Sequence, residues 1–327
     1  MHRRRFLLTS LAGALAAPLA VEAQPGKVAR VGFLASQTVT AETLEAFRKG
    51  LRELGWTEGQ NLTLEVRSPE GAPERLPALA AELVRLPVDV LVASATPASL
   101  AAKQATKTVP IVSVYTLDPV SVGLVANLAR PGGNVTGLSA LSLEYAGKML
   151  ELLVRTVPNV SRIAVLGDPD NPSHSVYWGQ LETAARIQRL ALVRTDVRRA
   201  DEFDSVIARI GAGHVAQALL VMHQPLFHVP LHRKRIVRLA AEHRVPTVYG
   251  SREAVDEGGL IAFGPSLLGI YQRAATFVDR ILKGGRPGDL PVEQPTKFEL
   301  VINLKTAKGL GLTIPSSVLA RADQVIE

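Results

Sequence analysis

The sequence predicts an α/β protein made of two similar lobes that face each other across a cleft. Short apolar runs rich in Val alternate with amphipathic segments, which is the pattern of βαβ units in a parallel sheet. The second half of the chain repeats the layout of the first after about 130 residues, and polar side chains follow the predicted strands in both halves. A repeat of domain size indicates two copies of one α/β unit rather than a solenoid.

Length and composition agree with two buried cores. The chain has 327 residues, of which 47% are hydrophobic and only 5% aromatic, so Ala, Val and Leu must fill the interior. Cysteine is absent, which excludes disulfides, thiolate metal sites and cysteine nucleophiles. The net charge of +7 is spread along the chain, and its densest patch, at 232–235, is expected to be a solvated helix face. The chain has no basic helix interleaved with aromatic residues, the pattern that would indicate a nucleic-acid partner.

The first 23 residues have the layout of an export signal. Three arginines at 3–5 precede an apolar run, and small residues follow up to Ala23, where cleavage is expected. The order of the arginines and the following Phe6 and Leu7 resembles a twin-arginine signal, although His2 replaces the usual hydroxyl residue. An ordinary secretory signal and an uncut membrane anchor are the alternatives. The mature protein is therefore expected in the periplasm.

The first half is expected to alternate strands and helices. The helix at 42–54 carries an apolar face of helical period and ends at Gly55, which can cap it. The Val-rich run at 88–94 reads as a buried parallel strand, and Pro97 suits the first turn of the Ala-rich helix that follows. The predicted strands are 28–35, 61–66, 88–94 and 109–115, and the predicted helices are 42–54, 77–86, an Ala-rich helix that includes Pro97, and 121–129.

The second half copies this order. The segments 160–172, 215–225 and 244–251 echo 28–36, 88–97 and 108–115, respectively. The helices predicted between and after them are 177–190, 201–211 and 233–244. A strand at 258–263, a helix at 267–283 and a tail at 297–315 with a strand and a short helix complete the chain.

Turn-forming residues between the copies predict the hinge. Residues 131–134 and Gly137 form a break rich in Gly and Pro, and Gly250 and Gly264 follow two later strands. We expect three crossings between the lobes. Lobe one is then 27–137 with 252–295, and lobe two is 138–251 with 296–327.

Hydrogen-bonding side chains at the strand ends predict a ligand site. In open parallel sheets, ligands bind at the carboxyl ends of the strands, and the positive ends of the following helices favour a carboxylate or similar anion. Each hydroxyl could instead cap a helix or a turn; as a set they could orient a small polar ligand between two closing lobes. The candidate ligand-binding residues are Ser36, Gln37, Ser94, Thr96, Tyr115, Thr116 and Asp118 in lobe one, and Asn171, Ser173, His223, Gln224, Tyr249 and Ser251 in lobe two.

Motifs for catalysis, metals and cofactors are missing. The chain has no nucleophile elbow and no phosphate-binding P-loop, and its lone G-x-G at 309–311 does not continue into a dinucleotide pattern. The histidines at 223, 228 and 232 are separated by Pro225 and Pro230, so they are expected to be loop residues rather than metal ligands. We expect no enzymatic activity, no metal and no cofactor.

Several motifs resemble those of ABC transporter substrate-binding proteins of the type I periplasmic-binding fold, in the branch that contains tryptophan and phenylalanine binders. They are ATPAS (95–99), TKTVPIV (106–112), DPVSVGLV (118–125), RPGGNVTG (130–137) and KFELVINLKTAKGLGLTIP (297–315). The resemblance covers essentially all of the mature chain. It implies two Rossmann-like lobes joined by three crossovers, a ligand clamped between them, and delivery of that ligand to an inner-membrane ABC permease by a monomer.

The resemblance also implies roles for single residues. Ser94 and Thr96 match positions that hold the carboxylate of an amino-acid ligand, while Asp118 and Asn171 match residues of two turns. His223 and the following Gln224 stand where amino-acid binders carry an acid suited to an ammonium group, and an unpaired ammonium in a closed cleft is costly. This difference predicts a small anionic or neutral aromatic carboxylate as the ligand.

Three other classes of protein share such a fold. A transcriptional regulator would need a DNA-binding headpiece where this chain has an export signal. An exported enzyme would turn over its ligand, and a receptor would hand the ligand to a sensor kinase instead of a permease. Sequence does not separate the receptor from the transport component.

Overall fold

The computed structural model describes residues 28–37, 39–140, 143–213, 215–295 and 297–327. Its strands form two separate sheets, one of five strands and one of seven. The export signal predicted for residues 1–23 lies outside the described residues. In the part of the chain that is described, no helix combines the length and the apolar character needed to cross a bilayer.

Strands and helices alternate along most of the chain. The strands are β1 (Ala29–Leu34), β2 (Leu62–Arg67), β3 (Val90–Ser94), β4 (Ile111–Thr116), β5 (Val135–Ser139), β6 (Arg162–Gly167), β7 (Ala191–Asp196), β8 (Ala218–Val221), β9 (Thr247–Tyr249), β10 (Ile261–Pro265), β11 (Phe298–Asn303) and β12 (Gln324–Ile326). The helices are α1 (Ala41–Glu53), α2 (Leu76–Arg85), α3 (Ala95–Ala105), α4 (Leu143–Thr156), α5 (His174–Gln188), α6 (Phe203–Gly211), α7 (Pro225–His228), α8 (Pro230–Glu242), α9 (Arg252–Asp256), α10 (Leu267–Leu282), α11 (Leu304–Gly309) and α12 (Ser316–Leu319).

The two sheets repeat one strand order. The first runs β2-β1-β3-β4-β5, and the second runs β7-β6-β8-β9-β10 before it continues to β11 and β12. All neighbours are parallel except β10 and β11. The central strands β3 and β4 are buried over their whole length, as their continuous apolar runs require when helices cover both faces. The predicted α/β class with parallel sheets is confirmed.

One helix that packs on each sheet follows, in the chain, a strand of the other sheet. We call the five-stranded sheet with its helices the first lobe and the seven-stranded sheet with its helices the second lobe. Helix α10 follows β10 of the second sheet but packs on α1 and β4 of the first lobe. The indole Nε1 of Trp56 donates to the Asp279 carboxylate at 2.9 Å, and Gly50 lets α1 approach the backbone of α10 at Gln272. Helix α4, in turn, follows β5 but packs on α5 and β9.

Residues 252–265 differ from the expected lobe assignment. They were expected in lobe one, but β10 pairs in parallel with β9 and antiparallel with β11, so it belongs to the second sheet. Its first residue, Ile261, is fully buried beside Val248. The crossing therefore comes at Ser266, the N-cap of α10, instead of Gly250.

The helix predicted at 121–129 is wrong. That segment is a series of turns, in which the Asp118 carboxylate accepts hydrogen bonds from the backbone and hydroxyl of Ser121. Gly123 adopts a φ of +71°, and the Lys103 ammonium donates to the carbonyls of Gly123 and Leu124. These contacts satisfy backbone groups that a helix would otherwise pair internally.

Several further elements were not expected from the sequence, among them β5, α4 and β7. The predicted break extends only to residue 134, because β5 begins at Val135 and joins the edge of the first sheet beside β4. Helix α4 follows β5, and β7 forms an edge of the second sheet beside β6. The first crossing between the lobes thus falls after Ser139.

Candidate functional site

A cavity of about 270 Å³ lies between the carboxyl ends of the two sheets. The first lobe contributes residues that follow β1 and β3, together with the N-terminal ends of α1 and α10. The second lobe contributes residues that follow β6 and β8, together with α9. Both parallel sheets therefore present their ligand-binding edges to one shared space.

Several of the sequence-predicted residues meet in this cavity. They come from both lobes and combine hydroxyl, amide, phenol and imidazole groups; they are Ser36, Gln37, Ser94, Thr96, Tyr115, Asn171 and His223. The lobes also touch directly beside it. The Ser173 hydroxyl donates to Thr96 Oγ1 at 2.6 Å, and the rings of Tyr115 and His223 lie 4.3 Å apart.

The hydroxyls of the first lobe differ in what they can offer a ligand. Thr96 Oγ1 already accepts from Ser173 and from the backbone N–H of Leu117, so its own proton is left to donate. Ser94 shares one hydrogen bond with the Tyr271 hydroxyl, which uses only one of their two protons. Ser94 and Thr96 can therefore supply donors to a carboxylate at the N-terminal end of α3.

Ser36 has a different role in spite of its place in the cavity. Its hydroxyl donates to the Ser94 carbonyl at 2.6 Å and accepts from the Ala98 N–H at 3.0 Å. With its proton used, this side chain has only acceptor capacity left. Ser36 ties β1 to the first turn of α3 and is not a donor for an anion.

The other predicted residues do not line the cavity. Thr116 lies behind it in a buried cluster with the hydroxyls of Ser99 and Ser113. Gln224 is fully buried and holds the backbone of Asp168 through both ends of its amide. In each case a side chain predicted to contact ligand instead satisfies a neighbouring polar group.

Four more predicted residues lie near the cavity without lining it. Asp118 closes the turn described above, and Ser173 reaches the cavity only through Thr96. Tyr249 is buried inside the second lobe, where burial raises its phenol pKa well above the usual value. Ser251 is buried and precedes α9.

Aromatic rings form one wall of the cavity. The His223 ring lies between those of Tyr115 and His228, with centroid distances of 4.3 and 3.7 Å. Burial lowers the pKa of His223 to about 3, and its Nδ1 is 3.0 Å from the Gly250 carbonyl, so the ring is neutral near pH 7. A neutral stack of this kind suits the face or edge of an aromatic ligand.

Two residues at the cavity edge have strained backbones. Ala95 and Tyr115 both adopt φ of +63°, a conformation that costs a side-chain-bearing residue roughly 1–3 kcal/mol. They stand at the carboxyl ends of β3 and β4. The strain turns the chain sharply at the two places where it faces the cavity.

Charged residues of the second lobe were missed by the sequence analysis. Arg233 and Arg252 reach the cavity, but Arg233 forms a two-pronged pair with Glu257, and Arg252 pairs with Asp256. Glu253 also lines the cavity, and it forms no ion pair with any other described residue. Its charge acts on the buried phenol of Tyr115, whose pKa is raised mainly by burial. Glu253 lies only a few positions after the end of β9. This proximity to a strand end is the one feature of the sequence that could have indicated it as a site residue.

The structure brings the rings of His223 and His228 together. Among the described residues, no three potential ligands of the His, Cys, Asp or Glu types lie close enough to hold an ion. His232 lies apart from the ring stack and is bonded through Nδ1 to the Leu226 carbonyl. The histidine arrangement therefore offers ring surfaces rather than a coordination sphere.

Comparison with known proteins finds relatives that cover most of the chain. Residues 27–326 match the family model described as ABC transporter substrate binding protein. A tyrosine-binding protein of Clostridioides difficile (strain R20291) is 27% identical over 283 residues, or 85% of this chain and 80% of that protein.

Two solved structures are also similar. The ABC domain in complex with L-Trp from Streptococcus pneumonia has a TM-score of 0.85 and 27% identity, over 91% of this chain and 99% of that one. A conserved domain protein from Vibrio cholerae has a TM-score of 0.84 and 31% identity, over 91% of this chain and 100% of that one.

Proposed function

Because this chain belongs to the family of ABC transporter substrate binding proteins, we propose that it is the solute-binding component of an ABC importer and carries a small aromatic carboxylate to a membrane permease. The resemblance inferred from the sequence motifs is confirmed by the family match. In this proposal the protein works in the periplasm as a monomer after cleavage near Ala23, and it binds its ligand without changing it.

The observation that carries the proposal is the cavity shared by the two sets of strand ends. At about 270 Å³ it falls just below the roughly 300–1,000 Å³ of typical small-molecule pockets, so it suits a compact ligand. Thr96 has a free proton, and the N-terminus of α3 adds a positive partial charge. These features favour a carboxylate, with the ligand ring against Tyr115 and His223.

Glu253 extends the proposed ligands to aromatic amino acids. The sequence placed no acid at residues 223 and 224, which argued against an ammonium group. The Glu253 carboxylate on α9, which forms no ion pair with another described residue, supplies the missing negative charge from another part of the second lobe. The tyrosine- and L-Trp-binding relatives favour the same extension.

A calorimetric comparison tests the carboxylate. We expect the mature protein to bind 3-(4-hydroxyphenyl)propanoate at least about tenfold more tightly than the matching amide, because charge-assisted hydrogen bonds are the stronger ones. Mass spectrometry of the ligand that co-purifies gives an independent check. Equal binding of acid and amide would contradict the carboxylate site, and turnover of either compound would favour an exported enzyme.

A second comparison tests the amine. L-tyrosine carries the same carboxylate and ring with an added ammonium, so Glu253→Gln should weaken its binding about tenfold or more. The same variant should change the affinity for 3-(4-hydroxyphenyl)propanoate less than about twofold. If tyrosine fails to bind while the amine-free acid binds, the ligand is the acid class that residues 223 and 224 predict.

A further inference from the structure

A second chamber lies next to the cavity, on the opposite side of the first turn of α3. Its volume is about 570 Å³, roughly twice that of the inner cavity. One wall comes from the first lobe, from the loop after β2 and from α3. The other comes from the second lobe, from the loop after β6 and from the region of α7. The outer chamber is therefore part of the same cleft between the lobes.

The two chambers adjoin. Ser36, Gln37, Asn171 and Pro225 line both of them, so these residues stand at the boundary between the two spaces. Gln37 Oε1 is buried at this boundary, and it has no hydrogen-bond partner among the described residues. A buried amide oxygen of this kind is costly unless something in the cleft pairs with it.

The outer chamber is mainly apolar. Leu100 on α3 faces it from the first lobe, and Leu226 and Val229 face it from the second. Several prolines from both lobes complete these walls. Arg198 pairs with Asp170 at 3.1 Å. The remaining charged residues of the lining are two acids, Glu70 and Asp168. Such a surface gains from burying hydrocarbon rather than a second charged group.

We propose that the outer chamber is a second subsite that takes the apolar tail of an elongated organic acid. The carboxylate and ring of this ligand occupy the inner cavity, and the tail passes Gln37 into the outer chamber. This inference rests on the proposed function, because it uses the same carboxylate site. It enlarges the substrate class from single aromatic acids to acids with an apolar extension beyond the ring.

A ligand series of fixed head and growing tail tests the proposal. The probes are 3-(4-hydroxyphenyl)propanoate and its methyl, propyl and pentyl ethers. Burial of one methylene corresponds to a factor of about four in affinity, so the pentyl ether should bind at least about tenfold more tightly than the methyl ether. Leu100→Trp narrows the outer chamber along α3 and should remove much of that gain, while binding of the parent acid stays within about twofold.

A second variant guards against loss of folding. Gln104 lines the outer chamber one helical turn after Leu100 and is exposed, so Gln104→Trp tests the same space at little cost to the core. The inference is overturned if the parent acid binds but its ethers gain nothing, or if both tryptophan variants weaken parent and pentyl ether equally. If the parent acid itself does not bind, the proposed function fails first, and the second subsite fails with it.

Discussion

Replacing Ala95 by Asp is expected to weaken binding of 3-(4-hydroxyphenyl)propanoate by about 100-fold or more without destabilising the protein. Ala95 lines the cavity between Ser94 and Thr96, so the new carboxylate would stand beside the proposed seat of the ligand carboxylate. Two like charges about 4 Å apart in partly buried surroundings repel each other by several kcal/mol. Isothermal calorimetry at pH 7.5 measures the loss directly.

The matched control uses the unusual backbone at this position. Ala95 has a φ of +63°, which Asp and Asn tolerate better than Ala does. Ala95→Asn has nearly the same shape as the Asp variant but no charge, so it should bind the acid within about fivefold of wild type. Both variants should unfold in urea at or above the wild-type midpoint. If the Asn variant loses binding as fully as the Asp variant, bulk rather than charge is responsible, and the carboxylate is seated elsewhere.

Replacing Gly137 by Val is expected to destabilise the protein by more than about 4 kcal/mol, the size of effect reserved for severe backbone or core disruption. Gly137 lies on β5 with a φ of +138°, and a Cβ there would overlap the carbonyl oxygen of Ser113 on the adjacent strand. Because the obstacle is backbone, no side-chain rotation can relieve it. Urea unfolding followed by circular dichroism should show either a large drop in midpoint or no folded protein.

Gly179→Ala provides the contrasting case. Gly179 lies within α5, and a Cβ there would meet nothing within 4 Å. Ala in a helix interior is favoured over Gly by roughly 0.5–1 kcal/mol, so this variant should be slightly more stable than wild type. A Gly137→Val protein with a wild-type midpoint would contradict the close contact of β4 and β5.

Hydrophobic pattern carried much of the fold prediction. The runs that became β3 and β4 are short, rich in Val and followed by turn or helix-start residues, so their class and order could be read locally. The segment at 121–129 has a similar apolar content, but Gly123 and the distant Lys103 decide its conformation. The hydrogen bonds from Lys103 on α3 cannot be read from the hydrophobic pattern of residues 121–129.

The sequence predicted where the site lies but not which side chains are available to a ligand. Residues at strand ends could be named, but whether a hydroxyl keeps a proton for a ligand depends on its neighbours in space. The Ser36 hydroxyl donates its proton to the Ser94 carbonyl. The Thr96 hydroxyl accepts from Ser173 of the other lobe, so its own proton remains available to a ligand. Glu253 was missed for the same reason, since only the packing of α9 turns an ordinary helical acid toward the cavity.

The placement of α10 on the first lobe has a consequence for biosynthesis. During translation, the first sheet and α1 are complete long before residues 267–282 leave the ribosome. Until then Phe47 and Leu51, which are buried in the finished molecule, lack the helix that packs against α1. The first lobe therefore exposes an apolar surface on α1 until nearly the whole polypeptide has been synthesised and α10 can pack against it.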